Sequence, residues 1–179
     1  MLIEPLRPVH ATDYRALMLE AYALHPDAFS SSVAERAALP LSWWQSRLSE
    51  KPLAAERVLG VFQDGGLAGV AGLSFESREK LRHKATLFGM YVPARCRQQG
   101  LGRRLVQAVL AQAGARPGVR LVQLTVTQGN DAARALYESC GFAAYGVEPF
   151  AVAAGPGYVA KIHMWCNIGL PDVRPSSLT

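Results

Sequence analysis

Apolar positions fall along this chain in a repeating order of strand and helix periods. The run Thr86-Leu87-Phe88-Gly89-Met90-Tyr91-Val92 is almost continuously apolar and stops at Pro93, the pattern of a buried strand. Apolar residues then recur at Leu101, Leu105, Ala108 and Val109, widened by Val106, Leu110 and Ala113. Arg103, Arg104 and Gln107 fall on the opposite face, so this segment predicts an amphipathic helix. Residues 121–126 alternate and are β-branched, which predicts another strand, and 132–138 return to the helical period.

The N-terminal half reads the same way. Residues 2–7 predict a short strand, and Pro5 suggests that it lies at a sheet edge. Thr12 or Asp13 can cap a helix running to about Leu24, and Ser31 or Ser32 a second, short one. Pro40 breaks that pattern, and Ser42 opens a third helix through Trp43, Trp44, Arg47 and Leu48. Residues 57–63 and 67–75 flank Asp64-Gly65-Gly66, a hairpin signal. Residues 80–84 form a charged turn into the long strand. Residues 142–147 and 158–165 predict a last strand pair around a Gly/Pro loop, and a tail follows Gly169. The expected architecture is α/β: a mixed central sheet of about seven strands with flanking helices, one domain over 1–168 and a tail over 169–179.

At 179 residues the chain is long enough for one domain with a substantial core. Half its residues are hydrophobic and 18% charged, which fits a globular protein rather than a disordered one. No apolar run approaches the roughly 18 residues of a membrane span. The N-terminus lacks the charged and apolar regions of a signal peptide, so a cytoplasmic protein is expected. Cys96, Cys140 and Cys166 are widely spaced, and His10, His25, His83 and His163 show no ligand spacing; neither a metal nor a disulfide framework is expected. The net charge of +5 suits solubility. Arg95, Arg97, Arg103 and Arg104 nevertheless cluster where a polyanion would be welcome. No lysine-rich or aromatic–basic pattern indicates nucleic acid.

The chemistry concentrates at Arg97-Gln98-Gln99-Gly100-Leu101-Gly102-Arg103-Arg104, between the strand and the helix. A helix start exposes unpaired N–H groups with partial positive charge, and glycines let an anion come close. The lysine–hydroxyl pair of a P-loop is missing, and Leu105 stands where a dinucleotide fingerprint needs its third glycine. Arg97, Gly100 and Gly102 instead match R-x-x-G-x-G. Downstream come Asn130, then Ala133 and Tyr137 on a helix, then Gly141-Phe142. These two motifs, in this order, resemble motifs A and B of the GCN5-related N-acetyltransferase (GNAT) superfamily. The resemblance is close over about residues 56–168 and general before that.

The resemblance implies an acetyl-CoA-dependent N-acetyltransferase. It would transfer an acetyl group directly to a primary amine of a small molecule or peptide, without a metal or a covalent enzyme intermediate. The absence of a G-x-S-x-G elbow agrees. Arg97, Gln98, Gln99, Gly100, Leu101, Gly102 and Arg103 would cradle the pyrophosphate. Gly89 inside a strand signals a bulge, and the pantetheine arm would pair with Met90, Tyr91 and Val92, with Met90 N–H as oxyanion donor. Tyr137 is the candidate acid for the thiolate, or else a core tyrosine. Asn130 caps a helix or binds the pantetheine amide. Glu76 is the chosen general base, with Glu79 and His83 as neighbours on the same stretch. His25, Phe29, Trp43, Trp44 and Tyr158 could shape the acceptor site, from residues 22–45 and 148–158. A homodimer is common in the family. A protein N-terminal acetyltransferase of the ribosomal-protein type and a non-catalytic CoA-binding module are the competing functions.

Overall fold

The computed structural model describes residues 2–170. Seven strands form one sheet: β1 (Leu2–Pro5), β2 (Glu56–Gln63), β3 (Gly66–Phe75), β4 (Lys84–Tyr91), β5 (Leu121–Thr127), β6 (Ala143–Ala154) and β7 (Gly157–Asn167). Their spatial order is β1-β2-β3-β4-β5-β7-β6. Only β4 and β5 run parallel; every other neighbouring pair is antiparallel. Parallel neighbours need a crossover, supplied by α4 (Leu101–Gly114). Four further α-helices are α1 (Ala11–Leu24), α2 (Val33–Ala37), α3 (Leu41–Ser46) and α5 (Asp131–Glu138).

The two faces carry different cores. On one, α4 buries Leu101, Leu105, Val106, Val109 and Ala113 against Leu59, Leu73, Leu87 and Val122. This is the stripe expected from the helical period, and each fully buried Leu or Val contributes roughly 1.5–3 kcal/mol. On the other, Tyr14, Leu17 and Met18 of α1 and Trp44 of α3 pack on Val58, Val70 and Tyr91.

Two irregularities in β4 make the site. Val70 pairs with Tyr91 and Gly72 with Phe88, so β4 carries one residue more than β3 over this stretch. Gly89, at φ +57°, absorbs that bulge. On its other edge β4 pairs with β5 only over Lys84–Thr86 (to Leu121, Val122 and Gln123), and the strands then diverge. The edge of β4 from Leu87 onward therefore faces a cleft rather than a strand.

Several elements differ from expectation. Helix α1 begins at Ala11 without a Thr12 or Asp13 cap, because it continues from a 3-10 turn over Pro8–His10; the Ala11 N–H bonds Pro8 O. Ser32, one of the two expected caps, closes a capping box at α2, with its Oγ accepting from Glu35 N and its N–H donating to Glu35 Oε2. Helix α3 starts at Leu41, directly after Pro40. The expected loop over 148–158 is mostly strand: β6 runs to Ala154 and β7 starts at Gly157. Pro149 and Phe150 (φ +54°) are absorbed in a register irregularity between Glu148 and Val152 on this outermost strand. Of the expected tail, Gly169 and Leu170 turn back so that both N–H groups donate to Asn167 Oδ1; residues 171–179 lie outside the described residues.

Candidate active site

Two cavities meet in the cleft where β4 leaves β5. The larger, about 520 Å³, runs from the start of α4 to Tyr137 and is walled by Val92, Gly100, Gly102, Ala133 and Leu136. The smaller, about 310 Å³, lies between α1–α3 and the β4–β5 surface. Phe29, Met90, Asn130 and Tyr137 line both, so the junction is at the bulge.

The larger cavity has an anion site at one end. Gly100 is the α4 N-cap at φ +70°, and an added Cβ there would meet nothing within 4 Å. The first helical bond of α4 is Arg104 N to Gly100 O at 3.1 Å. The N–H groups of Leu101, Gly102 and Arg103 thus have no acceptor within the helix, and they sit at its positive pole. Gly102 packs closely: a Cβ would stand 3.0 Å from Leu136 Cδ2 and 3.4 Å from Met90 Cε, two side chains of the same cavity. Arg97 staples the loop, its Nε donating to Val92 O at 3.0 Å and its Nη2 lying 3.3 Å from His25 Nε2. Gln98 lines the cavity in a left-handed conformation (φ +63°).

At the other end Tyr137 is buried, one turn along α5 from Ala133, with its ring tilted edge-on to Phe142. Its hydroxyl donates to the Met90 thioether at 3.6 Å. Burial, with Cys140 adding to it, pushes the phenol pKa up to about 12, so it holds its proton at neutral pH. Asn130 caps α5 through Oδ1, which accepts from Ala133 N at 3.3 Å. That leaves its amide NH₂ as a donor. Tyr91 lines the cavity, but its hydroxyl donates to Glu20 Oε1 at 3.0 Å, where Arg95 also binds. This anchors the end of β4 to α1.

The smaller cavity is lined by cations and aromatic rings. Gly72 opposes Phe88 across β3 and β4, and a Cβ on Gly72 would stand 2.5 Å from the Phe88 ring. The missing side chain therefore lets the ring lie across the sheet. The 3-10 turn Pro26–Ala28 is tied down by Thr127 Oγ1, which donates to Asp27 O (2.7 Å), and by Lys161 Nζ, which donates to Ala28 O (3.1 Å) and Thr127 Oγ1 (2.8 Å). Phe29 follows that turn and is fixed between the two cavities.

The structure thus brings together Met90, Tyr91, Val92, Arg97, Gln98, Gly100, Leu101, Gly102, Arg103, Asn130 and Tyr137. It does not bring Gln99 or Glu76 to either cavity. Glu76 N bonds Lys84 O at the first residue of β4, while the bulge is at the last residues of that strand, and its carboxylate is paired with Arg78 at 2.7 Å. The His83 carbonyl is at that same far end, bonded by Arg120 N and Leu121 N. His25 walls the larger cavity rather than the smaller. Tyr158 is 67% exposed against Phe150, away from both. Arg36, Arg47, Phe88 and Lys161 were not foreseen; Gly72 was the one local signal, marking room for a neighbouring ring.

The sequence model of the acetyltransferase (GNAT) family matches residues 15–142, which hold every residue lining the larger cavity and all but Tyr14 and Lys161 of the smaller. The chain belongs to the acetyltransferase (GNAT) family. Solved GNAT structures share its fold. An acetyltransferase of the GNAT family from Streptococcus pneumoniae superposes with a TM-score of 0.83 at 27% identity, covering 94% of this chain and 99% of that one. A putative acetyltransferase from Salmonella typhimurium, solved with its cofactor acetyl-CoA, gives 0.76 at 20% identity over 97% and 98%. The ribosomal-protein-S18-alanine N-acetyltransferase from Escherichia coli gives 0.69 at 24% over 97% of each chain. Among curated proteins none matches. As a GNAT acetyltransferase the chain is an acyltransferase of a family that uses acetyl-CoA. Among the described residues no three His, Cys, Asp or Glu side chains converge as a metal site, and no helix is long and apolar enough to cross a membrane.

Proposed function

We propose that this chain transfers the acetyl group of acetyl-CoA to a primary amine of a small molecule, by direct attack at the junction of the two cavities. The observation that carries the reading is that junction: a cavity with a helix N-terminus at one end and a protonated, buried Tyr137 at the other opens there into a second cavity. The residues fit acetyl-CoA. The open Gly100 turn and the free N–H groups of α4 suit a diphosphate, with Arg97 and Arg103 beside it. The uncovered edge of β4 at Met90–Val92 suits an amide-bearing arm, and the Asn130 amide NH₂ can join it. When bound, acetyl-CoA supplies an activated acetyl group on a sulfur leaving group.

The chain's own residues do the rest. Met90, in the bulge, would offer its backbone N–H to the acetyl carbonyl oxygen. Tyr137 holds a proton at Oη that it would give to the departing sulfur. The confined smaller cavity favours a small amine over a protein terminus. Cytoplasmic residence belongs to the proposal, in keeping with three free cysteines. So does a homodimer, supported by Tyr145, Val147 and Phe150 exposed on the outer strand β6; sedimentation analysis tests it.

The test is thiol release from acetyl-CoA across a panel of amines. Release with at least one amine, and an N-acetylated product by mass, is expected. Tight acetyl-CoA binding with no release on any amine would make the chain a CoA-binding module instead.

A further inference from the structure

The smaller cavity sets three cationic side chains and several hydroxyls among apolar and aromatic walls. Arg36, Arg47 and Lys161 line it, and among the described residues no carboxylate does. Arg47 is partly neutralised from behind by Glu56 at 3.2 Å, and its guanidinium carbon lies 4.8 Å from the Trp43 ring centroid and 5.0 Å from that of Phe88. Lys161 is buried on neutral oxygens of Ala28 and Thr127; Glu148 is the carboxylate that bears on it. Tyr14 and Tyr22 add hydroxyls that burial keeps protonated.

Arg36 is the telling residue. Its Nη2 donates to Ser31 Oγ at 2.8 Å, and its carbon lies 4.8 Å from the Trp43 ring centroid. Its Nε is shielded from solvent and has no hydrogen-bond partner among the described residues. The adjacent Glu35 is held in the α2 capping box and makes no ion pair with Arg36 among the described residues, although its charge bears on the guanidinium. Trp44 Nε1, on another residue lining this cavity, is likewise buried without a partner. Unpaired buried donors are costly and rare, and a shift of the Arg36 side chain toward an anion in the cavity would give its guanidinium an acceptor.

Resting on the acetyl-transfer reading of this site, we propose that the acceptor is an anionic amine: a small amino acid whose carboxylate, or phosphonate, lies against Arg36. Its amine then reaches toward Met90 and Tyr137. The same charge has a second consequence. Positive surroundings disfavour an ammonium ion and lower its pKa, so the bound amine gives up its proton to water without a dedicated carboxylate base. A polyamine, with a second fixed cation, is excluded by this lining.

The experiment compares α-amino acids and aminoalkyl phosphonates with their uncharged amides and esters, and with putrescine and spermidine, by thiol release and by melting temperature of the acetyl-CoA-loaded protein. At least one anionic member should exceed its neutral counterpart in kcat/KM by about tenfold or more, the factor one charge-assisted hydrogen bond supplies. Arg36→Gln should bring that ratio close to one, and Arg36→Lys should keep part of it. If Arg36→Gln does not fold, the wild-type ratio decides alone. Equal rates for acid and amide, or a preference for spermidine, would overturn the proposal. Stabilisation by anionic members with no thiol release on any amine would retain the anion site and overturn acetyl transfer; neither effect would overturn both.

Discussion

The Tyr137 hydroxyl donates to the sulfur of Met90 at 3.6 Å, across the cleft between α5 and β4. A thioether is a weak acceptor, so the phenol is held in place by packing rather than by a strong hydrogen bond. Its proton is secured by burial, which places its pKa near 12. The candidate acid is thus buried, protonated and lightly engaged, at the point where the two cavities join.

Acetyl-CoA should raise the melting temperature. A ligand that binds only the folded state adds about 2.7 kcal/mol at a hundred times its Kd, or very roughly 5–10 °C for a chain of this length. Thermal denaturation at rising acetyl-CoA checks it. No shift at millimolar concentration, with protein shown free of bound CoA, contradicts the cradle at α4.

Gly102→Val should weaken acetyl-CoA binding by about tenfold or more while lowering stability by roughly 1–3 kcal/mol. The new side chain pushes on Leu136 and Met90, both walls of the larger cavity. The comparison is Kd against denaturant midpoint. Unchanged affinity alongside a large stability loss would make Gly102 a packing residue only.

Gly72→Ala should act on the other cavity. Its Cβ would collide with the Phe88 ring, which must move away from Arg47. Overpacking costs roughly 1–3 kcal/mol, and KM for the amine should rise with acetyl-CoA affinity nearly unchanged. Equal losses for both substrates would show that the damage is general.

Much of this was legible in the sequence because it is local. Pro5 marked the edge strand, Asp64-Gly65-Gly66 the hairpin, Gly89 the bulge, and the period from Leu101 the helix that follows the cradle. The parts that the structure places elsewhere depend on non-local geometry. Glu76 is close in sequence to the long strand, but strand direction puts it at the start of β4 and the site at the end. The β6–β7 hairpin is longer than the Gly/Pro content of 148–158 predicts, because an outer strand tolerates both a proline and a bulge. The cationic cavity joins residues of α2, α3, β4 and β7, and no single window contains its pattern.

The most direct measurement is single-turnover thiol release by Tyr137→Phe at saturating acetyl-CoA and a competent amine. The ring and its contact with Phe142 stay, so acetyl-CoA affinity and melting temperature should hold. The rate should fall by about 10²–10⁴-fold, the usual contribution of a general acid. The pH profile should agree: a folded-state pKa raised from 10.0 to about 12 keeps the phenol protonated, so Tyr137 imposes no alkaline loss of activity below about pH 11. Its contribution to stability is fully present below pH 10 and is lost as the pH rises toward 12. An undiminished rate in Tyr137→Phe, with affinity and stability intact, would contradict the account.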